Sequence, residues 1–253
     1  MPFFLAYVQS ILRGMRLESA LEEITRLTEQ AAGYSQPAND AAIIQLRTLP
    51  VPEQRTMVRR GYAFISDDWK SDLTTWDYIW RNTRYHEVMN QALYFYQHRT
   101  SYRQIESKQL LGWADRCEHW AHSDDLAKIY ADILEQKPNW ILPTLEKWNR
   151  DGNVWKRRMS MTSLIEYASK RTKVLPFKRL MSFITPLLYD DEYYVQKGLG
   201  WTLREIGNAY PNDTYQFMQT NAGLLSPQAW TGATKNLPAD KKAKLKTLRQ
   251  QNR

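Results

Sequence analysis

Four segments of this chain begin alike and recur at nearly constant spacing. They start near Tyr85 (Tyr-His-Glu-Val-Met-Asn-Gln-Ala-Leu), Trp120, Trp155 and Tyr194, at intervals of 35, 35 and 39 residues, and each leads into a shorter helical segment. That period matches antiparallel helix pairs of the HEAT type, stacked into a curved solenoid. Apolar residues keep helical spacing inside it. Leu126, Ile129, Tyr130, Ile133 and Leu134 form one stripe, and Leu180, Phe183, Ile184, Leu187 and Leu188 another. With only 10 Gly and 11 Pro in 253 residues, long stretches lack the punctuation that a β-sandwich needs. Breaks fall at short joints: Ser35-Gln36-Pro37, Pro50-Val51-Pro52, Ser66-Asp67-Asp68, Lys137-Pro138-Asn139, Asp151-Gly152-Asn153, Tyr210-Pro211-Asn212 and Leu237-Pro238. Pro138 and Pro211 stand where proline opens a helix. No strand pair is evident, so the fold class is all-α, a HEAT-like helical-repeat solenoid. One domain over 1–253 is expected, with N-terminal helices in 1–50, repeats in 51–237 and a basic helix or tail in 238–253.

Stacking of this kind places equivalent helices of successive repeats on one concave wall, where residues distant in sequence meet. Trp120, Asp124, Arg158 and Trp201 all fall on these equivalent helices. Trp120 and Asp124, four residues apart, share one helix face. The chain carries a net charge of +8, so a polyanion is its natural partner. The excess is concentrated: from Lys147 to Arg179 stand ten Lys or Arg against two acids, Asp151 and Glu166. From Lys241 onward stand six more and no acid. An exposed aspartate facing a polyanion weakens binding unless it performs chemistry on a cationic centre, which singles out Asp124.

Other classes fit poorly. Cys117 is the sole cysteine, so no internal disulfide forms. His86, His98, His119 and His122 give no His-x3-His spacing, and no metal set or cofactor motif is expected. The run Pro2–Val8 reads as the start of the first helix. No window of about 18 apolar residues occurs, so no membrane span is expected. The chain reads as cytoplasmic, of bacterial cytosol or nucleoid type.

Two runs, Trp155-Lys156-Arg157-Arg158-Met159-Ser160 and Tyr193-Tyr194-Val195-Gln196-Lys197-Gly198-Leu199-Gly200-Trp201-Thr202-Leu203-Arg204-Glu205, resemble the third- and fourth-repeat signatures of AlkD-type DNA alkylation-repair glycosylases. The similarity extends over about Val51 to Leu237 and takes in His86-Glu87 and Leu225-Ser226-Pro227 to Ala233-Thr234-Lys235. It implies a concave DNA-binding face that grips duplex DNA, a monomeric protein and excision of N3- and N7-alkylated purines without a cofactor. Carried over by position, the catalytic aspartate is Asp124 and the two indole walls are Trp120 and Trp201. The backbone-contacting arginine is Arg158, with Arg157, Lys156 and Lys197 completing the DNA-binding set. The chain departs from the family pattern at His119 and Ala121, and in a longer spacing near Thr172–Leu175.

The implied chemistry suits these residue types. Alkylation at purine N3 or N7 leaves a cationic base that departs without protonation, so one carboxylate suffices for a reaction through an oxocarbenium-like sugar. Asp124 would offset that charge and orient water, the indoles would flank the cation, and Arg158 would fork onto a phosphate. Each residue also has a plainer role: Trp120 as core, Asp124 as a helix N-cap ahead of Leu126, Arg158 as a solvated cation. Gly198 and Gly200 beside Trp201 suggest a close helix approach. The rival function is a HEAT-repeat scaffold that binds DNA or protein without chemistry.

Overall fold

The computed structural model describes residues 2–33, 44–66, 68–99, 101 and 105–251. Among these lie 13 α-helices and no strand, the β-bridge between Gln45 and Tyr85 being isolated. The fold is all-α. The break expected at Ser35–Pro37 lies outside the described residues. Contacts divide the chain into two compact units, Met1–Arg103 with Ser107–Arg116, and Gln104–Glu106 with Cys117–Arg253.

The first unit holds α1 (Pro2–Ala31), α2 (Val51–Arg60), α3 (Trp69–Asn82), α4 (His86–His98) and α5 (Lys108–Gly112). Pro52 lies in the first turn of α2, and the Asp68 carboxylate caps α3 by accepting the Ser71 N–H at 2.9 Å. Its core is aromatic. Trp80 and Trp113 stack with centroids 5.1 Å apart, and each indole N–H finds an acceptor, the Trp113 carbonyl and Asp77 respectively. Glu87 has a structural task here: both its oxygens accept the Arg47 N–H at 2.9 Å.

The second unit holds α6 (Trp120–Gln136), α7 (Pro138–Trp148), α8 (Val154–Thr162), α9 (Phe177–Leu187), α10 (Tyr193–Ala209), α11 (Pro211–Thr220), α12 (Pro227–Ala233) and α13 (Ala239–Gln251). Helices α6, α8, α10 and α12 are neighbours in that order, while α7 backs α6 and α8, and α9 backs α8 and α10. The repeat is visible in side-chain bonds that cross it: Arg157 reaches Asp190, 33 residues on, and Arg158 reaches Asp124, 34 residues back. The repeat helices start at His86, Trp120, Val154 and Tyr193, within one residue of the sequence expectation.

One expectation fails. Helix α8, at 9 residues, is shorter than α9, at 11, whereas α6 and α10 each run for 17. The Thr162 hydroxyl turns back to the Arg158 carbonyl at 3.1 Å, a bond that competes with the helix ladder. The chain then turns to Tyr167, whose φ of 50° is left-handed, and passes through a 3₁₀ turn at Ala168–Lys170. The longer spacing near Thr172–Leu175 follows from this detour.

Helix α10 crosses α12 at glycine. A Cβ on Gly200 would lie 2.4 Å from the Ala229 carbonyl oxygen, and one on Gly232 would lie 2.8 Å from the Gly200 carbonyl carbon. Backbone cannot yield as a side-chain tip can. Gly200→Ala is expected to lower stability in urea by about 1–3 kcal/mol, as overpacking does. Gly14→Ala, in α1 with nothing within 4 Å of the new Cβ, should instead add up to about 1 kcal/mol.

The cap of α6 is His119, not Asp124, which sits a turn inside the helix. His119 Nδ1 accepts the Ala121 N–H at 3.2 Å, a bond that only the neutral ring can accept. Burial pushes the His119 pKa down, opposed by the Asp124 charge. The folded pKa thus lies below the ordinary value of about 6.5, and in acid the unfolded chain binds more protons. This stabilisation is complete above about pH 6.5 and is lost as pH falls below it. The stability difference between wild type and His119→Asn, whose amide caps at any pH, should therefore shift against wild type as pH falls from about 7 to about 5, read from urea unfolding at the two pH values.

Candidate active site

Four helices of the second unit enclose a cavity of about 800 Å³. Helix α6 contributes Trp120 and, one turn on, Asp124; α8 contributes Arg158. Helix α10 supplies the adjacent Tyr193 and Tyr194 and then Lys197, Trp201 and Arg204, at steps of three or four residues that keep them on one face. Helix α12 closes the far side with Gln228 and Thr231, and Lys235 follows its end. Asp124 is the only acid among the described residues that line it.

Arg158 organises the floor. Its Nε and Nη2 donate to Asp124 Oδ1 at 3.2 and 2.7 Å, and its Nη1 donates to the Tyr194 carbonyl at 2.6 Å. The Arg158 side chain is 8% exposed and that of Asp124 39%, so the pair is buried on one side and open on the other. Both donors fall on Oδ1, and the partly exposed Asp124 carboxylate lines the cavity. A Cβ on Gly198 would come within 2.9 Å of Arg158 Nη1 and 3.1 Å of its Cγ. The two glycines of α10 thus serve different ends: Gly198 admits a guanidinium, and Gly200 admits a helix.

Trp120 is 47% exposed at the mouth of the cavity. Trp201 is half-buried and meets the Tyr167 ring edge-on, at 5.6 Å and 89°. Lys197 lies over the Tyr193 ring, 5.2 Å from its centroid. Of the residues singled out in the sequence, Asp124, Trp120, Trp201, Arg158 and Lys197 meet in the cavity. Arg157 and Lys156 do not. Arg157 pairs with Asp190 at 2.6 Å and donates to the Asp151 and Gly152 carbonyls, and Lys156 lies 3.6 Å from Asp151.

Half of the basic run from 147 to 179 is paired in space, and Asp151 aside, the acids that Lys156, Arg157, Arg158, Arg171 and Arg179 meet come mostly from outside the run. Arg171 bonds Asp132 at 2.8 Å and Glu135 at 3.3 Å, and Arg179 pairs with Glu146. The cavity's own cations are instead Lys197, Arg204 and Lys235. Arg204 and Lys235, like Tyr193, Tyr194 and Tyr167, were not singled out by sequence. A usable signal did exist for α10, where aromatic and basic residues recur on one helical face.

Cys117 is buried, which pushes its thiol pKa up and leaves it protonated and inert. Among the described residues no three His, Cys, Asp or Glu side chains converge as a metal site needs, and no helix is long and apolar enough to cross a membrane. The cavity therefore offers one fixed carboxylate between two indoles, with cations at its edge. It suits a cationic group carried on an anionic chain.

A family model described as DNA alkylation repair enzyme matches residues 21–237. Three solved structures share the fold. AlkD2 from Streptococcus mutans has TM-score 0.57 at 18% identity, covering 87% of this chain and all (100%) of that one. The protein smu.31 from Streptococcus mutans UA159 has TM-score 0.54 at 16% identity, covering 91% and 97%. A predicted DNA alkylation repair enzyme from Enterococcus faecalis has TM-score 0.62 at 15% identity, covering 86% and 96%. No curated protein sequence matches the chain. With a family match over most of its length and a helical-repeat fold in common with these proteins, the chain belongs to the DNA alkylation repair enzyme family.

Proposed function

We propose that this protein is a monofunctional DNA glycosylase, which hydrolyses the N-glycosidic bond of N3- or N7-alkylated purines in duplex DNA. The observation that supports this most is the state of Asp124: one oxygen is fixed by a buried arginine, the side chain stays 39% exposed in the cavity, and no second acid lines it among the described residues. A carboxylate inside a cationic cavity weakens phosphate binding, and beyond its pair with Arg158 it favours a second positive charge placed in the cavity. The reaction supplies one. As the C1′–N bond breaks, its electron pair leaves with the cationic base, which departs neutral, and positive charge passes to the sugar. Asp124 offsets that charge from a preorganised position. A water oxygen then bonds to C1′ and its proton leaves, drawn by Oδ2. Trp120 and Trp201 flank the cation with π faces, each contributing on the order of 1–2 kcal/mol when desolvated.

Arg158 takes a different part from the phosphate clamp expected in the sequence. Three of its five N–H donors are used on Asp124 and the Tyr194 carbonyl, one from each guanidinium nitrogen, so it aims the carboxylate. Phosphate contact passes to Lys197, Arg204 and Lys235 at the cavity's edge. The protein acts as a monomer on duplex DNA, in a cytoplasm of bacterial type.

Incubation with methylated duplex DNA should release N3-methyladenine or N7-methylguanine, with EDTA without effect and borohydride trapping no adduct. Release of neither base would favour the non-catalytic scaffold. Asp124→Asn keeps an acceptor for Arg158 and removes one negative charge. It should bind duplex DNA as well as wild type or better, while excision falls by about 10²–10³. Wild-type excision by this variant would remove Asp124 from the mechanism. Affinity should fall steeply with salt, and Lys235→Ala should lower the slope of log affinity against log salt by about one.

A further inference from the structure

Helix α8 ends after 9 residues where its equivalents α6 and α10 run for 17, and the chain that replaces its second half carries Tyr167. Tyr167 combines two properties that rarely occur together. It is a bulky residue with a left-handed backbone, φ 50° and ψ 90°, and its side chain is 40% exposed. A left-handed conformation is unfavourable for any residue with a Cβ and persists only where the surroundings over-determine it. The surroundings do so. On one side Arg171 donates to the Glu166 carbonyl at 3.1 Å and ties the segment to Asp132 of α6. On the other, the Ala168 N–H donates to Glu205 of α10 at 3.2 Å, and the Lys170 N–H returns to the Tyr167 carbonyl at 2.8 Å. Lys170 Nζ sits 4.3 Å from the ring centroid, and Trp201 meets the same ring at 5.6 Å with the planes perpendicular.

Trp201 needs outside support. A side chain on a helix leans over the turn before it, onto positions three and four residues back. For Trp201 these are Gly198, which has no side chain because Arg158 fills its space, and Lys197, whose ammonium lies over Tyr193. The helix therefore offers the indole little to lean on.

We propose that Tyr167 is a positioning residue of the cavity, its ring fixing the Trp201 indole in place through their perpendicular contact. This rests on the glycosylase reading of the cavity. Removal of the ring should then harm excision through Trp201 alone. Tyr167→Gly deletes the ring and also relieves the backbone strain, so its unfolding midpoint should equal or exceed that of wild type. Its single-turnover excision of N7-methylguanine should fall about three- to tenfold, the scale of one aromatic pair, with duplex affinity little changed. Tyr167→Phe should restore most of that rate, since the edge contact does not need the hydroxyl. In a Trp201→Ala background Tyr167→Gly should have no further effect.

Excision by Tyr167→Gly at the wild-type rate would overturn the proposal. So would an undiminished effect in the Trp201→Ala background, or a lowered midpoint together with failure of Phe to rescue. If wild type releases no base, the glycosylase reading fails by itself. Tyr167 is then judged by affinity for a duplex carrying a tetrahydrofuran abasic analogue: weaker binding by Tyr167→Gly, but not in the Trp201→Ala background, supports it, and equal affinity overturns it.

Discussion

The Arg158 guanidinium is the interaction on which the second unit's cavity depends. Carried by α8, it reaches Asp124 on α6 and the Tyr194 carbonyl on α10, joining three successive helices of the wall. A buried cation is tolerated only when paired and hydrogen-bonded, and each donor used here satisfies that need. The same bonds fix the direction of the carboxylate. Stability and site geometry therefore share one set of atoms, which explains why Gly198 is a glycine inside a helix. A side chain there would collide with the guanidinium, so the loss in helix propensity is offset by the pair that it admits.

Helix α10 contributes more of the cavity's lining than any other helix. One face carries Tyr193, Lys197, Trp201 and Arg204 toward the open space, while Gly200 lets α12 approach on backbone alone. Close approach matters because Gln228 and Lys235 reach the cavity from the far side of that crossing. A wider interhelical distance would open the cavity next to Trp201, the wall that the proposed chemistry needs dry. The packing of one residue thus bears on the electrostatics of another a turn away.

Much of the fold was readable in sequence because its signals are local. Pro138 and Pro211 open helices, and the repeat helices begin within one residue of their expected starts. What escaped the sequence is what depends on partners. Capping looked like a role for Asp124, yet His119 has the extended backbone and the acceptor, and no composition rule ranks the two. The basic run near Arg157 looked like a free cationic face, but its partner Asp190 comes from 33 residues away, a distance that only the repeat stacking closes. Tyr167 gave no signal at all, since a left-handed tyrosine is dictated by its anchors and not by its type. The meeting of Trp120, Asp124, Arg158 and Trp201 was expected from their equivalent repeat positions, and the order of α6, α8 and α10 accounts for it.

A carboxylate among cations raises the question of how the site distinguishes an alkylated base from a normal one. Under the proposed reading, binding alone cannot do it. Lys197, Arg204 and Lys235 attract any phosphate chain, and the Arg158 charge paired with Asp124 Oδ1 opposes the local field that would favour a cationic base. Discrimination then falls to the bond-breaking step. A neutral purine must leave as an anion unless it is protonated, and among the described residues the cavity has no second acid to protonate it. A cationic purine leaves neutral. The site thus lacks the group that a neutral base would require, and the scarcity of acids around Asp124 becomes the source of selectivity. Adding an acid to this wall would widen what the enzyme can attack at the expense of undamaged DNA.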